Sequence, residues 1–292
     1  MKILITGGSG LLGQYLNLKL SEKNKLLTVY NNHIGNCFNF NSIQIDLRDY
    51  KKLAEIFISF KPEVVIHTAA ISNPSISQSI PAKEIYNTNV EVTAKIAQLC
   101  DVNKSKLIYS STDLVYAGYR ESMLGEDAKL IPISLYAETK LMGEVKIQEI
   151  FNNYIILRTA LLYGFGLNHS TCHFHKMYND LKNGKPVKLF IDQFRTPLSL
   201  LEASRFICEL IDKNITGEII NFGGCERLSI YELGERLCEL ANFDKNLLVK
   251  IKMDDKPELP KVADVSMNTD KLKSYGIKQK NIEEAILEIL RC

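Results

Sequence analysis

The segment Thr6-Gly7-Gly8-Ser9-Gly10-Leu11-Leu12-Gly13 constrains this chain more than any other feature. It follows the short apolar run Ile3 to Ile5 and leads into Leu11 to Ser21, which reads as a helix. Glycines spaced G-x-x-G-x-x-G between a strand and a helix allow a tight turn free of side chains. A pyrophosphate can then reach backbone N–H groups at the positive end of the helix. Gly7, Gly10 and Gly13, with Leu11 and Leu12 at the helix start, are therefore candidate dinucleotide-binding residues. The spacing departs from the general G-x-G-x-x-G fingerprint, so the flanking strand and helix carry the assignment.

Short β-branched apolar runs alternate with longer amphipathic stretches through the first half of the chain, the signature of a parallel sheet with crossover helices. The pattern predicts strands over Lys2 to Thr6, Leu26 to Tyr30, Glu63 to His67, Lys106 to Ser110 and Tyr154 to Arg158. Helices are predicted over Leu11 to Ser21, Tyr50 to Ser59, Pro81 to Cys100 and Ser134 to Phe151, with Pro62 stopping one helix and Pro81 starting another. Beyond Gly164 the pattern loosens, with a turn at Asn183 to Lys185. The expected fold is α/β, a doubly wound parallel Rossmann sheet with a smaller C-terminal α/β substrate lobe. The dinucleotide-binding part is expected at 1–165 plus about 197–223, and the substrate lobe at 166–196 and 224–292.

A chain of 292 residues with 46% hydrophobic and 24% charged residues can bury a full core. Its net charge of +2 and lack of a basic stripe argue against nucleic acid as a partner. No apolar run approaches a membrane span, and the N-terminal apolar run is too short for a signal peptide. Seven cysteines (Cys37, Cys100, Cys172, Cys208, Cys225, Cys238, Cys292) are scattered without a C-x-x-C pair, as expected of reduced thiols in a cytoplasmic protein. His169, Cys172, His173 and His175 crowd together but with irregular spacing, and no metal is expected there.

Three further places carry chemistry. Tyr136 and Lys140 lie four apart in a predicted helix, which puts phenol and ammonium on one face. A free tyrosine has a pKa of ~10, and a neighbouring lysine charge is expected to draw it down toward neutrality. Thr112 follows the strand Lys106 to Ser110, at the carboxyl end where ligands of such sheets bind. Asn89 falls on the apolar stripe Ile85, Asn89, Val92, Ile96, Leu99, so its amide is buried and must be a structural or a catalytic hydrogen-bonding hub.

T-G-x-x-G-x-x-G at this position resembles the extended short-chain dehydrogenase/reductase family, and further motifs follow in order. The resemblance implies an adenine contact at Asp46-Leu47, just after the family's third strand. It implies a turn beside the cofactor at His67-Thr68-Ala69-Ala70, with Ala69 and Ala70 as contacts, and an active-site asparagine at Asn89. Tyr136-Ala137-Glu138-Thr139-Lys140 is similar to the family's Y-x-x-x-K, with Thr112 as the catalytic hydroxyl. In that scheme Thr112 donates to the substrate oxygen, the nicotinamide supplies hydride and Tyr136 the proton. Lys140 shifts the tyrosine and holds the nicotinamide ribose.

Ser111 to Tyr116, Ser134 to Glu144, Leu157 to Gly164, Asp192 to Pro197 and Ser266 to Leu272 together resemble the dTDP-4-dehydrorhamnose reductases. Their motifs are departed from at Leu161, where the family has Trp, and at Arg195, where it has Gly. The resemblance implies reduction of a nucleoside-diphosphate-4-keto sugar, with Thr112, Asp113, Gln193 and Arg195 on the substrate side. Arg195 is expected to meet a diphosphate in fork geometry. Related dehydratases carry Asp-Glu after the catalytic threonine; Asp113-Leu114 lacks the second carboxylate, which disfavours dehydration. Asn31-Asn32-His33 offers no acid to hold a ribose 2′-hydroxyl, so an exchangeable NADP(H) is expected ahead of NAD(H), with Asn31 among its contacts. The rival expectations are an NAD-dependent nucleotide-sugar 4-epimerase and a cofactor-binding regulatory subunit. A nucleotide sugar is the expected partner, a homodimer is left open, and neither nucleic acid nor membrane is expected.

Overall fold

A computed structural model describes residues 1–72, 80–119, 121–257 and 260–291. Seven parallel strands form its central sheet: β1 (Lys2–Thr6), β2 (Lys25–Tyr30), β3 (Ser42–Gln44), β4 (Val64–His67), β5 (Lys106–Ser110), β6 (Tyr154–Thr159) and, later in the chain, β11 (Glu218–Phe222). The spatial order β11-β6-β5-β4-β1-β2-β3 starts at β1 and winds outward in both directions. The chain therefore reverses direction between β1 and β4, and the crevice beyond their carboxyl ends is where such sheets take ligands. The central strands read as continuous apolar runs because helices cover both faces. One layer buries Ile3, Ile5 and Ile66 against Leu16 of α1 (Leu11–Ser21) and Phe206 of α7 (Leu200–Ile211). The other buries Leu4, Val65 and Leu107 against Phe57 of α2 (Tyr50–Phe60) and Ile147 of α5 (Leu135–Ile150).

Local sequence explains the boundaries. Asp49 caps α2 by accepting from the Lys52 N–H, and Lys61 ends it at φ 51°, just before Pro62. Ser134 caps α5 by accepting from Ala137 N–H. Two elements differ from the sequence pattern. The third strand is a three-residue edge strand, β3, too short to show a period. The helix expected over Pro81 to Cys100 is α3 (Ala82–Tyr86), a π turn over Asn87–Glu91, and α4 (Val92–Asn103). The extra residue held by a π turn displaces the helix face locally, and it does so at Asn89.

Smaller strand pairs follow β6. β7 (Leu162–Tyr163) runs parallel to β10 (Leu198–Ser199), and β9 (Phe194–Arg195) antiparallel to β12 (Leu228–Ser229). β8 (Val187–Phe190) runs parallel to β13 (Leu248–Ile251). A third core gathers Phe174 and Met177 of α6 (His173–Lys182), Leu233 and Leu237 of α8 (Ile230–Ala241), and Ile286 of α10 (Ile282–Leu290). α9 (Asp270–Ser274) closes against the sheet through buried Leu272. Among the described residues no helix is long and apolar enough to cross a membrane. Six cysteines are free thiols; Cys292 lies outside the described residues.

Candidate active site

The glycine loop turns out of β1 through Gly7, whose φ of +73° is a left-handed conformation that a side chain would strain. The Gly10 N–H closes the turn onto Gly7 O at 2.9 Å. A Cβ on Gly13 would collide with Gly7 O and Gly8 Cα, so glycine alone lets α1 pack this close to the loop. No side chain caps the helix at Gly10, which leaves the first N–H groups facing outward. They face a cleft of about 690 Å³ at the switch point of the sheet.

Most of the sequence-predicted cofactor residues meet in this cleft. Its loop side is formed by Gly7, Gly10, Leu11, Leu12 and Gly13. Asn31, Asp46 and Leu47 form one end, and Ala69, Ala70, Tyr136 and Lys140 line the rest. Asn89 is not in the wall. Its Oδ1 accepts from Ile71 N–H at 2.8 Å, and its Nδ2 donates to Ile71 O and to Thr139 Oγ1 at 3.1 and 3.0 Å. Asn89 thus ties the segment after β4 to α5, supporting the wall from behind. His67 is fully enclosed between Thr6 Oγ1 (2.6 Å) and Thr93 Oγ1 (2.9 Å). Burial, and then the Lys140 charge, hold its pKa down at about 3, so it is a neutral spacer in the sheet.

Thr112, Tyr136 and Lys140 come together at the carboxyl end of β5. Thr112 Oγ1 caps a short turn by accepting from Leu114 N–H at 3.3 Å, and it hydrogen-bonds Tyr136. Lys140 is buried, its ammonium 3.9 Å from the centre of the Tyr109 ring. Burial pushes Lys140 down to about 7, against the pull of Glu144. The fall in the Tyr136 pKa expected from Lys140 is not what this geometry gives. Burial, followed by the Asp113 carboxylate, raises it to about 12, and the Thr112 hydrogen bond only partly opposes this. Desolvation favours the neutral form of both groups, an effect invisible from a spacing of four residues.

Asp113 and Arg195 lie behind this trio. Asp113 is 4% exposed, with Oδ1 accepting from Thr112 Oγ1 at 3.3 Å and Oδ2 without a hydrogen bond, 3.9 Å from Arg195 Nε. Burial raises the carboxyl pKa to about 6, while Arg195 pulls it down. Arg195 Nη1 donates to Phe194 O at 2.7 Å and Val262 O at 3.4 Å, while Nε is the nitrogen nearest Asp113. Gln193, half-buried, is placed by its carbonyl, which accepts from Ile230 N–H at 3.0 Å.

Three features escaped sequence reasoning, two of them because they pair residues far apart in the chain. Arg48 grips Asp46 through two nitrogens, Nη2 to Oδ2 at 2.6 Å and Nε to Oδ1 at 3.0 Å, which lowers the Asp46 pKa. Glu144 and Arg158 form a buried ion pair at 3.0 Å, joined by Ser111 and Tyr116 on either side of Thr112 and Asp113. Both residues lie in motifs quoted above, but nothing local marks them as partners. Gln14 of α1 ties the 165–170 loop to the glycine loop, donating to Leu167 O at 3.0 Å and Ser9 O at 3.0 Å. In the same region the His169 to His175 run disperses: His169 packs on His33, Cys172 donates to Gly164 O, and His175 accepts from Gly166 N–H. Among the described residues no three His, Cys, Asp or Glu gather as a metal set.

The RmlD substrate binding domain family matches the chain over residues 1–292. The chain belongs to the RmlD substrate-binding domain family. Two curated relatives bracket what such a chain is similar to. The probable low-salt glycan biosynthesis reductase Agl14 of Haloferax volcanii is 25% identical over 264 residues, 87% of this chain and 85% of that protein. The methionine adenosyltransferase 2 subunit beta of Pongo abelii is 25% identical over 291 residues, 96% of this chain and 84% of that protein. Among solved structures, a dTDP-4-dehydrorhamnose reductase from Bacillus anthracis in complex with NADP superposes with a TM-score of 0.86 at 21% identity. The match covers 99% of this chain and 98% of that one. At that identity the likeness speaks for the Rossmann-like fold of the RmlD family.

Proposed function

We propose that this RmlD-family chain reduces the 4-keto group of a nucleoside-diphosphate sugar such as dTDP-4-dehydrorhamnose, with NADPH favoured over NADH. The observation that carries it is the meeting of Tyr136 with Thr112 and Lys140 beside a dinucleotide-sized cleft that Tyr136 and Lys140 line, with burial keeping the phenol protonated. Reduction needs an acid at that place, since the alkoxide left by hydride addition must be protonated.

The residues fit a nicotinamide dinucleotide: a cradle that a Cβ would fill at Gly7 and Gly13, an uncapped helix start, and Asp46 at the far end. A bound dihydronicotinamide supplies the hydride. Tyr136 gives the proton to the substrate oxygen, Thr112 orients that oxygen, and Lys140 restores the charge balance near Tyr136. Asp113 and Gln193 meet the sugar, while Arg195 acts through Asp113. Residues 1–165 with about 197–223 hold the cofactor, and 166–196 with 224–292 hold the sugar nucleotide. Free thiols are in keeping with a cytoplasmic enzyme.

A second reading, a cofactor-binding regulatory subunit, is favoured by the methionine adenosyltransferase 2 subunit beta relative. Thermal unfolding in the presence of NADPH, NADH and nucleotide 4-ketosugars separates the two. A ligand at 100 times its Kd adds about 2.7 kcal/mol to stability. The reductase reading expects a rise with NADPH and a further rise with a sugar nucleotide. A rise with the dinucleotide and none with any sugar nucleotide supports the regulatory reading; no rise with either dinucleotide contradicts both.

A further inference from the structure

Tyr109 of β5 packs its ring against α5, with the Lys140 ammonium 3.9 Å from the ring centre and both side chains buried. Several contacts fix the ring there. Its hydroxyl donates to Lys140 O at 3.4 Å and bonds Thr93 of α4, and the His67 ring lies 5.6 Å from it. A Cβ on Gly143 would collide with that hydroxyl, so α5 carries glycine where the phenol meets it. Burial raises the Tyr109 pKa well above its ordinary value, which keeps the ring a neutral phenol.

The charges near Lys140 give its ammonium little support. Glu144 pulls toward it but is closed on Arg158 at 3.0 Å. His67 of β4 is neutral, and Asp113 lies toward Tyr136 and Arg195. On the helical segments packed against α5, Glu84 lies 3.9 Å from Arg48, Asp101 pairs with Lys104, and Tyr86 and Glu91 act on Lys146.

We propose that Tyr109 is the positioning residue for Lys140: its ring face holds the ammonium in a place shut off from water, so that the lysine stays cationic and aimed into the cleft. This rests on the proposed reductase reading, in which Lys140 acts as a cation beside Tyr136. An aromatic face attracts a desolvated cation without taking up any of its three N–H donors. A carboxylate in contact would claim those donors; the ring leaves them for a ribose and for the Tyr136 oxygen. An ammonium is lost as pH rises through its pKa, here held at about 7. Removing the ring should lower that value further and bring the loss to lower pH.

The test is NMR of the ligand-free full chain with isotope-labelled lysine ε-carbons, titrated from about pH 5 to about pH 10.5, up to the ordinary lysine value. The Lys140 signal is the one missing from Lys140→Met. In the wild type it should carry the ring current of Tyr109, and Tyr109→Phe should keep both that shift and the titration. Tyr109→Leu should titrate about one pH unit lower, as expected for loss of a desolvated cation–π contact. The alkaline limb of single-turnover cofactor oxidation should move down with it. Where Tyr109→Leu does not fold, a fluorinated phenylalanine in place of Tyr109 keeps the shape, strips the ring face of its negative charge and should give the same fall. An unchanged titration in either variant overturns the role of Tyr109. A lowered titration, with a wild type that turns over no nucleotide 4-ketosugar, leaves the hold on Lys140 standing and overturns the reductase reading.

Discussion

Tyr136→Phe is expected to lower ketosugar reduction by roughly 10²–10⁴ in rate while leaving dinucleotide affinity near wild type. The substitution keeps the ring, its packing and helix α5, and removes the proton that the alkoxide must receive. Thr112→Ala should cost less, because it deletes one orienting hydrogen bond. Lys140→Met should harm both turnover and cofactor binding, since Lys140 lines the cleft as well as flanking the tyrosine. Because Tyr136 holds its proton up to about 12, the reduction should not fade through loss of that proton between neutrality and mild alkali. Single-turnover cofactor oxidation beside binding titrations for the three variants checks this order. Near-normal turnover by Tyr136→Phe would remove the phenol from the mechanism.

Glu144→Ala should destabilise the fold by about 3–5 kcal/mol, the usual loss when one partner of a buried ion pair is deleted. Arg158 and Glu144 side chains are 3% and 1% exposed, so the guanidinium left behind cannot reach water. Its remaining contacts, to Tyr116 Oη at 3.0 Å and Glu126 O at 2.8 Å, do not neutralise it. Tyr116 in turn donates to Asn221 at 2.6 Å on β11, so the damage spreads from α5 across the sheet to the Thr112 loop. Replacing both partners, as Glu144→Leu with Arg158→Met, should recover most of the loss, because an apolar pair no longer carries an uncompensated charge. Urea unfolding of the two variants measures the difference. A loss below about 1 kcal/mol for Glu144→Ala would show that the ion pair is hydrated in solution.

What was legible in the sequence was local. β1, the glycine loop and α1 are contiguous, and each obeys its own period and turn chemistry, so the strand–loop–helix unit could be read directly. Tyr136 and Lys140 were legible because helical spacing alone puts them on one face. What escaped depends on tertiary neighbours. The direction of the Tyr136 pKa is set by burial and by Asp113, twenty-three positions upstream in the chain. The neighbours of Arg195, Asp113 at 3.9 Å from Nε and the Val262 carbonyl on Nη1, come from distant segments that no local pattern around β9 shows. The partners of the Asn89 amide, Ile71 and Thr139, lie 18 and 50 positions away and are met at a π turn, neither of which the apolar stripe shows.

The central claim, that this chain moves hydride from cofactor to a nucleotide 4-ketosugar, is tested most directly by isotope transfer. The wild-type protein is incubated with NADPH deuterated at the transferred position of the nicotinamide and with dTDP-4-dehydrorhamnose, and the sugar is examined by mass and NMR. The account predicts oxidised cofactor in step with a sugar alcohol carrying deuterium on the former keto carbon. Bound cofactor with no deuterium in any sugar product would contradict it.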